Sequence, residues 1–217
     1  MQDKQLLKKD LFGEVWLTQS DAGLAVLRDA RSARVWLRWL ARALLRREGR
    51  ALAALGNLQG FPQLLQHGSD TLLRSHIPGE PMFRARPTDA AYFKAAATML
   101  RRLHTQGIAH NDLAKEANIL VQPDGMPGII DFQLAWQTSS RGRCFRSAAM
   151  EDIRHLLKHK RTYRPDLLTQ RERSILEKRS TAANLHRALI KPVYMFVTRR
   201  LLGWSDREGA ADRGRHD

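Results

Sequence analysis

The stretch that decides the fold runs His110-Asn111-Asp112-Leu113-Ala114-Lys115-Glu116-Ala117-Asn118-Ile119-Leu120-Val121, then Gln122-Pro123-Asp124-Gly125, then Gly128-Ile129-Ile130-Asp131-Phe132-Gln133. Ile119 to Val121 and Gly128 to Ile130 are short apolar runs separated by turn residues, which reads as two strands joined by a tight connection. Side chains capable of chemistry stand at the open ends of both strands, with Asp112, Lys115 and Asn118 ahead of the first and Asp131 behind the second. Alone, a His-x-Asp is a turn and an Asp-Phe a strand end. Both halves, in this order and flanked in this way, form a more specific pattern.

Phosphoryl transfer requires a carboxylate beside the acceptor hydroxyl and oxygen ligands that hold Mg²⁺ against nucleotide phosphates, because its catalysis is mostly positioning and charge neutralisation. Asp112, Asn118 and Asp131 provide that set. His-x-Asp followed by Asn-Ile-Leu, a turn, and an apolar strand ending in Asp-Phe resembles the catalytic and metal-binding loops of the protein-kinase-like superfamily. The preceding Leu103-His104-Thr105-Gln106-Gly107-Ile108-Ala109-His110 is similar to that superfamily's helix entering the catalytic loop. The resemblance implies that Asp112 orients or deprotonates the acceptor hydroxyl, that Lys115 neutralises the transferring phosphate, and that Asn118 and Asp131 coordinate Mg²⁺ bridging the phosphates of ATP.

Outward from this centre, the first part of the chain reads as strands with one helix. Leu11 to Thr18 and Leu24 to Leu27 flank the turn residues Gln19-Ser20-Asp21-Ala22-Gly23, the pattern of a hairpin. Ala33 to Leu55 is rich in Ala, Leu and Arg and broken only by Gly49, which predicts a long helix. At about 100° per residue Leu37, Ala41, Leu44, Glu48, Leu52 and Leu55 share one face, so Glu48 lies on the apolar side. Phe61 to Gln66 and Thr71 to Ile77 predict two more strands, and Pro78-Gly79-Glu80-Pro81 a rigid linker. A helix over 89 to 106 and a basic helical remainder from about Ala148 complete the reading.

The expected fold class is therefore α+β: a two-lobed protein-kinase-like fold with a small N-terminal antiparallel sheet, one long helix, and a reduced, mainly helical C-terminal lobe. Residues 1–80 form the expected nucleotide-binding lobe, 81–204 the catalytic lobe and 205–217 a loose tail. In the superfamily a strand Lys contacts the ATP phosphates and pairs with a helix Glu. Here Arg28 ends the strand that begins at Leu24, and Arg28 with Glu48 is the expected pair. A buried-face Glu without a cation would be costly. Glu48→Ala is expected to weaken ATP use and to destabilise little.

The sequence departs from the family pattern in several places. Arg28 replaces a compact ammonium with a planar fork. One extra residue separates Asp112 from Asn118, and Gln133 stands where the family places a Gly after Asp-Phe. Only Gly13 remains of the glycine-rich loop, and no Ala-Pro-Glu segment follows Asp131. Together with the small size, these features are similar to the compact bacterial lipopolysaccharide-kinase and RIO-like branches. The implied cofactors are ATP and Mg²⁺, and the implied acceptor is a protein Ser/Thr or a sugar of lipopolysaccharide core. The rival reading, favoured by Arg28 and the poor phosphate loop, is a catalytically silent pseudokinase that binds nucleic acid or a protein through its basic surface.

Composition limits these options. With 43% hydrophobic and 27% charged residues the 217-residue chain is of globular type, with apolar surface enough to offset ordering entropy. Cys144 is its only cysteine, so no internal disulfide forms. No stretch reaches the roughly 20 apolar residues that span a bilayer, and the opening residues show no secretory leader. The expectation is a cytoplasmic location, or a peripheral one on the inner face of the membrane. Two thirds of the formal net charge of +15 falls on residues 140–217, a field that draws polyanions. The apolar and cationic stretch from Tyr194 to Trp204 reads first as core at the end of the helical lobe, and the alternative is docking on an anionic membrane surface, ahead of nucleic acid, with Phe196 and Trp204 as apolar contacts. Arg34, Arg38, Arg42, Arg46 and Arg50 read as a solvated helix face with Trp39 among them, and the alternative is contact with an anionic surface. Asp152, His155 and His159 read as part of a solvated basic helix, with metal binding as the weaker alternative.

Overall fold

The computed structural model describes residues 4–177. The first five strands are β1 (Gln5–Asp10), β2 (Gly13–Ser20), β3 (Gly23–Asp29) and, after helix α1 (Arg38–Leu55), β4 (Leu64–His67) and β5 (Thr71–Ser75). They form one antiparallel sheet in the order β1-β2-β3-β5-β4. The expected hairpin is β2 with β3, and the expected strand pair is β4 with β5. Strand β1 was not foreseen. It is an edge strand whose side chains are mostly exposed, so burial imposes no alternation on it, and its Lys8 and Lys9 are the charges that keep such an edge from pairing with other chains.

Helix α1 starts later than the composition suggests, because Val35–Leu37 forms a 3-10 turn before it. Its inner face carries Ala41, Leu45, Glu48, Leu52 and Leu55, all buried. Leu44, expected on that face, is only half-buried, and Leu45 takes its place. The opposite face is exposed at Arg34, Arg42, Arg46, Arg50 and Trp39, as expected of a solvated side, with Arg42 held to Asp70.

The second part comprises β6 (Glu80–Pro81), α2 (Met82–Ala85), α3 (Ala90–Thr105), β7 (Ile108–Ala109), β8 (Ile119–Val121), β9 (Pro127–Ile129), β10 (Trp136–Gln137), α4 (Arg143–Tyr163) and α5 (Gln170–Glu177). Asp89 caps α3 by accepting from the Ala91 amide, which fixes where that helix begins. The expected linker is half strand, since Glu80 and Pro81 pair with Val121 and Leu120. Helix α4 begins five residues before Ala148.

One apolar core joins the two parts: Leu45, Leu52 and Leu72 from the first pack in the same cluster as Leu100, Leu103, Ile129 and Phe132 from the second. Residues up to Glu177 form one compact unit. The expected remainder of the catalytic lobe, the loose tail, and Phe196 and Trp204 lie outside the described residues. Among the described residues no helix is long and apolar enough to cross a membrane.

Candidate active site

Strand geometry brings two guanidinium groups to one place. Arg28 and Val26 are two residues apart on β3 and share a face, and Val26 is paired with Arg74 of β5; paired residues also share a face. Arg28 and Arg74 therefore both point to the side covered by α1. Glu48, fully buried on that helix, meets them there. Arg28 Nε lies 3.2 Å from Glu48 Oε2 and Arg74 Nε 3.2 Å from Oε1. These four atoms make no well-aligned hydrogen bond, so the contacts act through charge. The expected pair of Arg28 and Glu48 is thus in contact, with Arg74 as a second cation that the sequence did not single out.

Arg28 also crosses to the second part of the chain, donating from Nη2 to Asp131 Oδ1 at 3.1 Å. Asp131 follows β9 with φ at 67°, and Asn111 has φ at 64°. Such left-handed backbone in non-glycine residues is uncommon and concentrates at functional sites. Next to it, Phe132 is fully buried and packs edge-on to Phe61 and His110. Gln133 stays outside the left-handed region, so this loop needs no glycine after Asp-Phe.

The loop before β8 is tied through the main chain to the residue that precedes Asp131. The Ile130 amide donates to the Asn118 carbonyl at 3.0 Å. Asn118 Nδ2 in turn donates to the Asp112 carbonyl at 2.9 Å and to Asp112 Oδ2 at 3.0 Å. Lys115 Nζ reaches the same Oδ2 at 2.9 Å. A 3-10 turn over Glu116–Asn118 lies between the two side chains, and Asn118 closes on Asp112. Glu116 anchors that turn to α4, accepting from the Tyr163 hydroxyl at 2.5 Å. Burial, and then this bond to Glu116, push the Tyr163 hydroxyl well above the ordinary tyrosine range, so it remains a donor.

His110 sets the entry to the loop. Its Nε2 lies 3.0 Å from the Ile130 carbonyl, which can only accept, and its Nδ1 receives the Asp112 amide at 3.3 Å. The two contacts select the neutral tautomer with the proton on Nε2. Gly107 permits the chain to reach this point, with φ at 70° and a position where a Cβ would stand 2.1 Å from the Thr138 carbonyl oxygen.

Asp152 corrects the sequence reading. It is fully buried, not on a solvated face, and accepts from the His110 amide at 2.7 Å and the Asn111 amide at 2.9 Å. His159 is buried too, with Nε2 2.7 Å from the Leu113 carbonyl. Helix α4 therefore holds the loop through these residues. Among the described residues no group of three or more His, Cys, Asp or Glu is placed to hold a metal. Asp152→Ala is expected to leave two main-chain donors unpaired, each costing about 1–3 kcal/mol, and to lower any turnover on the order of 10²-fold by displacing Asp112. Denaturant unfolding and turnover compared with Asp152→Asn, which keeps one acceptor oxygen and should lose less, check this.

Burial alone would raise the Asp131 pKa, but Arg28, and then Arg74, outweigh it and hold the carboxyl below the ordinary range. Asp131 is thus an anion at neutral pH. A carboxylate of this kind is a hard oxygen donor of the type that suits Mg²⁺. Two guanidinium groups, Arg28 and Arg74, thus meet the carboxylates of Glu48 and Asp131, and Asp112 is held separately by Asn118 and Lys115.

No protein-family model matches the chain, and no curated protein does. Among solved structures, the crystal structure of the Rio2 kinase from Chaetomium thermophilum is similar, with a TM-score of 0.60 and 17% identity over 81% of this chain. The match covers 62% of the Rio2 chain. At this identity the likeness shows the fold alone, and the fold is kinase-like.

Proposed function

We propose that the protein is an ATP-dependent phosphotransferase that moves the γ-phosphate of ATP to a hydroxyl acceptor. The observation that carries this reading is the continuous chain of contacts Glu48–Arg28–Asp131 and Asn118–Asp112, closed by the Ile130 amide on the Asn118 carbonyl. Asp112 takes the acceptor proton as the hydroxyl oxygen attacks the γ-phosphorus and the bond to the ADP oxygen breaks. Lys115, already beside Asp112, faces the transferring phosphoryl group with positive charge. Arg28 supports the remaining phosphates. Asp131 and the Asn118 oxygen would hold Mg²⁺, which supplies neutralisation of the phosphate charge when bound.

The RIO-like and lipopolysaccharide-kinase branches are the proposed relatives, and the Rio2 kinase fold supports the first. The acceptor is a protein Ser/Thr or a lipopolysaccharide sugar, since the loop positions a hydroxyl without reading what bears it. ATP as donor fits a cytoplasmic site of action. A pseudokinase is the second reading, favoured by one observation: Arg28 already occupies an oxygen of the proposed metal carboxylate.

Incubation with γ-labelled ATP, Mg²⁺ and a panel of protein and lipopolysaccharide acceptors separates the two. Transfer that falls on the order of 10²- to 10⁴-fold in Asp112→Asn supports the enzyme. Binding of MgATP with no labelled product on any acceptor supports the pseudokinase.

A further inference from the structure

We propose that Arg74 is a positioning residue, a second buried guanidinium that keeps Glu48 neutralised so that Arg28 can leave Asp131 for the nucleotide phosphates. This rests on the phosphotransferase reading above. Four charges meet in the cleft, two guanidinium groups and two carboxylates, and their exposure is graded. Side-chain exposure is 0% for Glu48, 6% for Arg74, 13% for Arg28 and 27% for Asp131. The inner pair is therefore Glu48 with Arg74, and the outer pair is Arg28 with Asp131.

The backbone agrees with this division. Arg74 stands on β5, which is hydrogen-bonded on both sides, by β3 and β4, so its Cα has little freedom. Arg28 is the penultimate residue of β3 and reaches across to the loop behind β9. Each oxygen of Glu48 has its own guanidinium, Oε1 for Arg74 and Oε2 for Arg28. If Arg28 moved toward a phosphate and Arg74 were absent, a fully buried carboxylate would stand without a counterion, and that cost would hold Arg28 in place. Asp131 would then stay occupied by Arg28 rather than by a metal. With Arg74 present, Arg28 can exchange a carboxylate for a phosphate, which would leave the Asp131 oxygens available to a metal.

The test uses the full chain with MgATP, reading nucleotide affinity and the Mg²⁺ concentration required for half-maximal binding. Arg74→Met, close in length but uncharged, should weaken affinity on the order of tenfold or more, because the binding-competent position of Arg28 is less populated, and should raise the Mg²⁺ requirement. Arg74→Lys should restore part of both. Adding Glu48→Gln to Arg74→Met removes the trapping carboxylate and should return the Mg²⁺ requirement toward the parent value. Leu55→Ala, a core change on the same helix, lowers stability and should leave the Mg²⁺ requirement unchanged. Unaltered affinity and Mg²⁺ requirement in Arg74→Met, in a parent that binds MgATP, would overturn the role of Arg74 alone. A raised requirement shared equally by Leu55→Ala would overturn it as well. A parent that binds no MgATP at all would overturn the phosphotransferase reading and this inference with it.

Discussion

Asp131→Asn is expected to give a folded protein whose phosphotransfer has dropped on the order of 10³-fold, with its Mg²⁺-dependent nucleotide affinity largely gone. The magnitude follows from losing a metal that contributes several kcal/mol of charge stabilisation in the transition state, at tenfold for each 1.36 kcal/mol. Asparagine keeps the shape and one acceptor oxygen for Arg28, so the fold survives. The same substitution has a signature in acid. The folded-state pKa of Asp131 is depressed, since Arg28 and then Arg74 outweigh the opposing effect of burial. Its contribution to stability is therefore complete above the unfolded value of about 3.9 and is lost as pH falls through the lower folded value. Parent and Asp131→Asn should differ in stability at neutral pH and converge below about pH 4. Undiminished transfer by a folded Asp131→Asn protein would remove Asp131 from the metal site.

The second large effect concerns Glu48. The sequence reading expected Glu48→Ala to destabilise little. Instead Glu48 is fully buried between Arg28 and Arg74, and its removal leaves Arg74 without a carboxylate in the interior and Arg28 with Asp131 alone. Breaking a buried ion pair from one side costs about 3–5 kcal/mol, against a total stability of roughly 5–15 kcal/mol for a domain. Glu48→Ala should lose much of its resistance to denaturant, and Glu48→Lys, which gathers three cations, should lose more. Glu48→Gln is the milder companion that reports on nucleotide use without unfolding. An unfolding midpoint for Glu48→Ala equal to that of the parent would contradict the burial assigned to this carboxylate.

What could be read from the sequence was whatever local pattern determines. The Asp112 to Gln133 stretch places its strand β8 where expected because apolar runs and turn residues alternate within a few positions. Glu48 was legible because helix periodicity puts it among leucines. Arg74 was not, because its side chain is brought to Glu48 by the register of β3 on β5, which no short window encodes. Asp152 failed for a related reason: it acts on amides 41 and 42 residues away, while its neighbours His155, Lys158, Lys160 and Arg161 suggest a solvated helix. A buried acid within a basic helix was the available signal, since such a charge requires partners elsewhere. The Glu116–Tyr163 contact, which holds the lengthened loop, depends on the packing of α4 in the same way.

The central claim is that this cleft takes a nucleotide through a metal held by Asp131. The most direct measurement is calorimetric titration of ATP into the full chain with Mg²⁺ and with Mg²⁺ chelated, for the parent and for Asp131→Asn. Saturable binding by the parent that requires Mg²⁺ and is lost in Asp131→Asn is the predicted result. Absence of binding under both conditions, or binding indifferent to Mg²⁺ and undiminished in Asp131→Asn, would contradict it.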